Sequence, residues 1–237
     1  RIWYKFDGHR WKENDKGTDL RNLISTELYK IYLGLIQMYV KKLASIESTS
    51  EDDSELGEYR KKINVSAKQA TVITKTLKDK SKKDKLMEEC VHLFYDPDFE
   101  EMVDNNKKLI GFDNGVIDFN TKTFREGRPE DYISRSTKNN YLTRNEIENF
   151  DTKKNEIEDF MKKLFPKEEL CNYMWDHLAS TLIGGNINQT FNIYNGNGSN
   201  GKSLLVKLME KSLGDGTKGG YKGSVPNSLI TQKRNSV

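Results

Sequence analysis

The chain lacks the residues that several common chemistries require. It has two cysteines in 237 residues, Cys90 and Cys171, far apart and each in apolar helical context. No second Cys or His stands at ligand spacing, so the sequence excludes a cysteine–histidine metal site. Two separated thiols predict small buried side chains in a reducing compartment, not a disulfide framework. No apolar run approaches the ~20 residues of a membrane span, and the longest helix-like stretch, 20–43, is interrupted by Glu27, Lys30 and Gln37. There is no secretory signal at the start. The chain opens abruptly in a strand-like run, Ile2-Trp3-Tyr4-Lys5-Phe6, and stops at Val237, which together predict an excerpt from a longer protein. Charge of one sign is also missing: 39 Lys and Arg stand against 36 Asp and Glu, a net +3. That balance permits a nucleic-acid partner without demanding one.

What is present is one strong motif. Residues 196–203 spell GNGSNGKS, which fits G-x-x-x-x-G-K-[ST], a phosphate-binding loop. Gly196 and Gly201 allow backbone angles closed to other residues, so that successive N–H groups can turn inward around an anion. Lys202 supplies a compact charge for the β- and γ-phosphates, and the Ser203 hydroxyl can ligate Mg²⁺. Context sharpens the motif. Before it, Thr190-Phe191-Asn192-Ile193-Tyr194 is β-branched and aromatic and predicts a strand. After it, Leu204, Leu205, Leu208, Met209 and Leu213 recur on one helical face over 202–213, with Gly214 as the stop. The helix aims its positive N-terminal end at the same anion.

The remainder predicts helices and short hairpins. A hairpin is expected over 2–11 with its turn at Asp7-Gly8, then a helix over 20–43 capped by Thr18. The stretch 48–55, STSEDDSE, is a solvated loop, and 58–95 reads as one or two helices. Within it, 75–85 holds six lysines against two aspartates. That run is a solvated helix face or a phosphate-backbone contact. Asp96 and Pro97 predict the cap and first position of another helix. Alternation over 109–124, with a turn at Asp113-Asn114-Gly115, predicts a β meander. Asp113 and Asp118 are explained by turn and strand-edge placement, not by a catalytic pair. A second helical block is expected over 152–183, broken at Phe165-Pro166 and ending at Gly184-Gly185. Its faces would be Ile157, Phe160, Met161 and Leu164, then Leu170, Tyr173, Met174, Leu178 and Leu182, with His177 a satisfied structural histidine. The glycine-rich tail 214–223 reads as mobile, either a bare connection or a surface facing nucleic acid or a neighbouring subunit. The basic pair Lys233-Arg234 follows it.

Hydrolysis of a nucleotide needs a second Mg²⁺ anchor and a positioned water. No strand-like run ending in carboxylates follows Val206. The chain is therefore expected to bind ATP weakly and not to turn it over alone.

Four stretches carry a family resemblance: WYKFDGHRWKEND from Trp3 with the LRNLIS helix, LIGFDNGVIDFNTKTFREGRPEDYIS from Leu109, YNGNGSNGKSLL from Tyr194, and SVPNSLITQKR from Ser224. Together they resemble the superfamily 3 helicase–primases of nucleocytoplasmic large DNA viruses and related phage proteins. The phosphate loop is common to many NTPases, so the LIGFDNGV segment ahead of it is the specific part; 48–85 matches least. The resemblance implies an α/β fold, the start of an AAA+-type P-loop motor preceded by a mainly helical α+β domain with short hairpins. The helicase-associated domain would be 1–148 and the motor start 149–237. It implies ATP and Mg²⁺ as cofactors. By motif match, Gly196, Asn197, Gly198, Ser199, Asn200, Gly201, Lys202, Ser203 and Leu204 would bind ATP, with Lys202 catalytic and Ser203 on Mg²⁺. The family's second acidic motif, polar sensor and arginine finger would lie beyond Val237. Implied partners are single-stranded or forked DNA, other replication proteins and further copies in a hexameric ring, with no membrane. The setting would be the cytoplasm or a viral replication compartment of an infected cell. Two rival readings stand beside this: a P-loop phosphoryl-transfer kinase, which would need an acceptor pocket and a lid, and a non-catalytic DNA-docking or assembly module with a vestigial loop.

Overall fold

A computed structural model of the chain describes residues 2–47, 54–186, 189–196, 198, 200–226 and 228. It is an α+β structure whose two sheets are small and antiparallel or hairpin-like. The chain forms two compact units, one of residues 1–4 and 13–97, the other of 5–12 and 98–237.

The first unit begins from the hairpin β1 (Trp3–Asp7) and β2 (Arg10–Asn14), whose turn holds Gly8 at φ 68°. It continues through α1 (Thr18–Leu23), a π-helical turn over Ile24–Leu28 and α2 (Tyr29–Glu47), so the expected long helix is present with a wider turn in it. The Ser25 and Thr26 hydroxyls at that turn donate back to the Arg21 and Asn22 carbonyls, the local competition for backbone acceptors that serine and threonine offer inside helices. Thr18 is not the cap. Gly17 holds that position, the Thr18 hydroxyl donates to the Asp15 carbonyl at 2.6 Å, and Asn14 Oδ1 accepts the Asp19 amide at 3.2 Å.

Two helices follow, α3 (Ser54–Lys78) and α4 (Lys80–Leu93); of the expected loop 48–55, residues 48–53 lie outside the described residues. Asp79 makes the break: its backbone is extended, and its carboxylate accepts the Lys82 amide at 2.9 Å. The core joins Ile24, Leu77 and Met87, with Trp3, Leu20, Tyr32 and Ile73 against them. Two of the six lysines are used within this unit. Lys78 Nζ lies 4.2 Å from the centre of the Tyr29 ring, and Lys83 Nζ donates to Ser25 Oγ at 2.9 Å. Cys90 is buried and free, as expected. Gly34 in α2 has open space where a β-carbon would go. Gly34→Ala should therefore stabilise by roughly 0.5–1 kcal/mol, through helix propensity alone. A urea midpoint that falls would show a contact at this site.

The second unit takes the hairpin tip, where the Trp11 amide donates to the Ile133 carbonyl at 2.7 Å and its indole N–H to the Pro129 carbonyl at 2.8 Å. Its ring meets Phe6 and Phe99 edge-on. The short α5 (Phe99–Met102) has Asp98, not Asp96, at its N-cap. The helix starts two residues later than the Asp-Pro pair predicts. The meander is present as β3 (Leu109–Phe112), β4 (Gly115–Asp118) and β5 (Thr123–Arg125), with Phe112 opposite Gly115 and Asp118 opposite Thr123. Leu109, Val116 and Ile133 bury its inner face.

Helices α6 (Phe150–Leu164) and α7 (Glu168–Ser180) form the expected second block, with α7 ending before Ile183. They enclose Met161, Cys171, Met174 and Leu178. Ile157, Leu170 and Tyr173 stand exposed instead, because the packed stripe is narrower than the apolar one.

Candidate functional site

The described residues of the predicted phosphate loop, 196, 198 and 200–203, lead into α8 (Lys202–Leu213). Gly201 is the N-cap, in a left-handed conformation at φ 81°, and its carbonyl accepts the Leu204 and Leu205 amides at 3.0 Å each. A β-carbon there would be strained by the backbone and would lie 3.0 Å from Leu164 of α6. The Lys202 ammonium donates to Asn200 Oδ1 at 2.6 Å, and both side chains pass across Gly196. A β-carbon on Gly196 would sit 2.6 Å from Lys202 Nζ. The absence of a side chain on Gly196 leaves that space to the ends of the Asn200 and Lys202 side chains. Gly198 takes φ 88°, and Ser203 is exposed on the first turn of α8. Asn197 and Ser199 lie outside the described residues.

Two anchors fix this loop, and the sequence pattern missed part of each. Leu205, not Leu204, enters the core of α6 and α7, with Met209 packed against it; Leu204 is 57% exposed. On the incoming side, Tyr194 Oη and His177 Nε2 of α7 lie 2.6 Å apart, and the His177 ring stacks on Tyr173. Burial, with a smaller push from Tyr173, raises the Tyr194 hydroxyl above its ordinary range. His177 is thus a satisfied structural histidine whose role is to hold the approach to the loop. Asn195 Oδ1 accepts the Gly196 amide at 2.9 Å.

The expected strand over 190–194 is not formed. No described segment pairs with it, and Asn186 bonds both the Thr190 amide and its carbonyl. Phe191 and Ile193 are 77% and 78% exposed. A β pattern without a neighbouring strand leaves its backbone groups to side chains and water.

The tail departs most from expectation. Residues 214–222 form a folded strap, not a mobile connection. The Gly216 amide donates to the Lys222 carbonyl at 2.7 Å, and Asp215 caps a short turn through the Thr217 amide at 3.0 Å. The strap lies on the meander. Tyr221 Oη accepts the Gly111 amide at 2.8 Å and lies 3.3 Å from the Arg135 carbonyl; the Ser136 amide donates to the Gly219 carbonyl at 3.0 Å. Asn139 Nδ2 reaches the Lys211 carbonyl at the end of α8, 2.9 Å away. Both ends of α8 are therefore tied down, the first in the helical core and the last on the sheet. Residue 227 and residues 229–237, with the Lys233-Arg234 pair, lie outside the described residues.

Burial pushes the Tyr221 hydroxyl up to about 12, against the pull of the Gly111 bond. Its ordinary value is about 10, so the fold favours the neutral form. That contribution is fully present below pH 10 and is lost as pH rises towards 12, about 2–3 kcal/mol in all. Urea midpoints between pH 9 and 11.5 should fall more steeply for the native chain than for Tyr221→Phe; parallel slopes would refute the assignment.

Asp113 and Asp118 have structural work. Burial raises Asp113, but hydrogen bonds from Ser136 at 2.6 Å and Arg10 at 2.7 Å outweigh it and hold the carboxyl below its ordinary range. Asp118 accepts the Asn120 amide at 3.0 Å and pairs with Arg125, which also grips Asp131 through both nitrogens at 2.8 Å. No group of three metal-ligating side chains occurs among the described residues, and no described helix is long and apolar enough to cross a membrane.

The profile of the D5 N terminal like family matches residues 1–166. The chain belongs to this family. Similar relatives within large DNA viruses carry helicase names. A protein of Acanthamoeba polyphaga mimivirus named "Putative helicase L207/L206" is 35% identical over 236 residues, covering 99% of this chain and 23% of that protein. "Putative helicase 184R" of Invertebrate iridescent virus 6 is 31% identical over 234 residues, 90% of this chain and 24% of that protein. "Putative helicase 121R" of Invertebrate iridescent virus 3 is 29% identical, with the same two shares. The chain thus spans about a quarter of the length of these relatives, and the D5 N terminal like match ends at residue 166, between α6 and α7 and ahead of residues 196–203.

Proposed function

We propose that the chain is part of an ATP-driven DNA helicase acting in viral DNA replication. Residues 1–148 would be its helicase-associated domain and 149–237 the start of a P-loop motor. The observation that carries this is the glycine-rich segment at the head of α8, with Gly201 left-handed at the N-cap and the Lys202 ammonium bonded to Asn200 beside Gly196. The helicase names of the viral relatives support the same reading.

In this reading the backbone N–H groups of 196–203 and the N-terminal end of α8 hold the phosphates, and Lys202 stabilises charge on the transferred phosphoryl group. Mg²⁺, when bound, would supply positive charge to neutralise that on the phosphates. The Ser203 hydroxyl would be its ligand from this segment. The Leu205 anchor keeps α8 fixed, so the ammonium is pre-positioned.

The experiment is ATP turnover by the full-length protein with and without single-stranded DNA. Turnover that rises with DNA supports a nucleic-acid motor. Turnover indifferent to DNA but dependent on a small acceptor would replace it with the kinase reading. Absence of nucleotide binding would leave the assembly module.

A further inference from the structure

The tip of the β1–β2 hairpin gathers Arg10 and Lys12, with Lys5 close by, and the 134–139 segment sets Lys138 beside them. Arg10 is held by Asp113 at 2.7 Å, and Asp113 by the Ser136 hydroxyl. The same hydroxyl accepts the Lys138 amide at 3.0 Å. Lys138 takes a left-handed backbone, φ 61°, and its ammonium lies against Gly219 of the strap, where a β-carbon would be 3.3 Å away. Lys12 pairs with Asp7 across the hairpin. Of Arg10, Lys12 and Lys138, the first two are paired with carboxylates. Among the described residues, no carboxylate lies within ion-pair distance of the Lys138 ammonium. Burial first, then the charges of Arg10 and Lys12, push that ammonium below its ordinary range, with Asp113 opposing.

Like charges brought together by a hydrogen-bonded backbone raise the local potential for an anion. Lys12 and Lys138 are exposed and come from two separate segments. Such a spread suits an anion whose charge repeats along a chain.

We propose that Arg10, Lys12 and Lys138 form a contact for the phosphodiester backbone of nucleic acid, separate from the phosphate loop. The choice of nucleic acid as the polyanion rests on the helicase reading; the geometry does not. Arg10, fixed by Asp113, sets the position, and the two lysines supply displaceable counterion sites.

The test is fluorescence anisotropy of a labelled single-stranded oligothymidine with the intact protein, across a series of salt concentrations. The double variant Lys12→Gln, Lys138→Gln should bind about tenfold more weakly. The slope of log affinity against log salt should fall by about 1.4, two contacts at ~0.7 each. Lys138→Arg should retain affinity. Binding within twofold of native, with the same slope, would overturn the proposal. So would competition by inorganic phosphate beyond that of chloride at equal ionic strength, because the ligand would then be a free anion. Loss of oligonucleotide binding in Lys202→Ala, with the double variant unaffected, would move the contact to the loop and also overturn it. Oligonucleotide binding through Lys138 in a protein that turns over no ATP would uphold this contact while sinking the motor.

Discussion

Alanine at Gly111 is expected to destabilise the second unit by about 3 kcal/mol. Gly111 lies in β3 beneath the strap. Its amide donates to Tyr221 Oη and its carbonyl accepts the Thr137 amide, each at 2.8 Å. Its backbone angles are open to any residue, so the whole effect comes from space. A β-carbon would strike the Arg135 carbonyl and lie 3.1 Å from Ile133 Cγ2 and 3.3 Å from Tyr221 Oη. The first obstruction is backbone and cannot rotate away. Either β3 or the 133–137 segment must shift, and both hydrogen bonds weaken with it. Overpacking of this kind costs about 1–3 kcal/mol, with roughly 1 kcal/mol more for each buried bond lost. Urea unfolding would read it as a lower midpoint with unchanged slope. An unaltered midpoint would mean that the strap does not clamp this strand.

Lys202→Ala should lower ATP turnover of the full-length protein at least about a hundredfold, near 3 kcal/mol in the barrier, and leave the urea midpoint where it was. The two readouts separate because of where the residue sits. Lys202 begins α8 and bonds Asn200 across Gly196, whereas Leu205 carries the helix into the core. The charge can be removed without removing the anchor. Lys202→Arg should fail as well, since a planar guanidinium is larger than the ammonium for which Gly196 leaves room. Native turnover in either variant would refute the assignment of this loop as the nucleotide site.

The elements with their own local signal were legible in the sequence. The Asp7-Gly8 hairpin, the three-stranded meander and helices α6 to α8 follow from turn residues and apolar spacing. Caps were less legible, because Thr18 and Asp96 each have near neighbours, Asn14 and Asp98, able to fill or shift the same role. The 190–194 run shows the limit of a β pattern: Phe191 and Ile193 have strand chemistry, but a strand is defined by a partner. The strap was hidden for the opposite reason. Its glycines read as freedom, yet they permit close approach to the 135–137 backbone, and the bond that fixes it joins residues far apart in sequence. The lone Tyr221 amid glycines was the available signal. The basic cluster was equally hidden, since its members lie on segments more than a hundred residues apart that are joined by Asp113, Ser136 and the Trp11–Ile133 backbone bond.

That separation sets an order on biosynthesis. The meander emerges from the ribosome about a hundred residues before Tyr221, the group that satisfies the Gly111 amide. Closing so long a span is slow and entropically costly. Until it happens, the nascent sheet keeps an open backbone donor where the strap will lie. The helical block and α8 are made within that interval, so the segment leading into α8 enters the unit as an internal insert, enclosed by its last tie, and not as an appendage added to a finished domain.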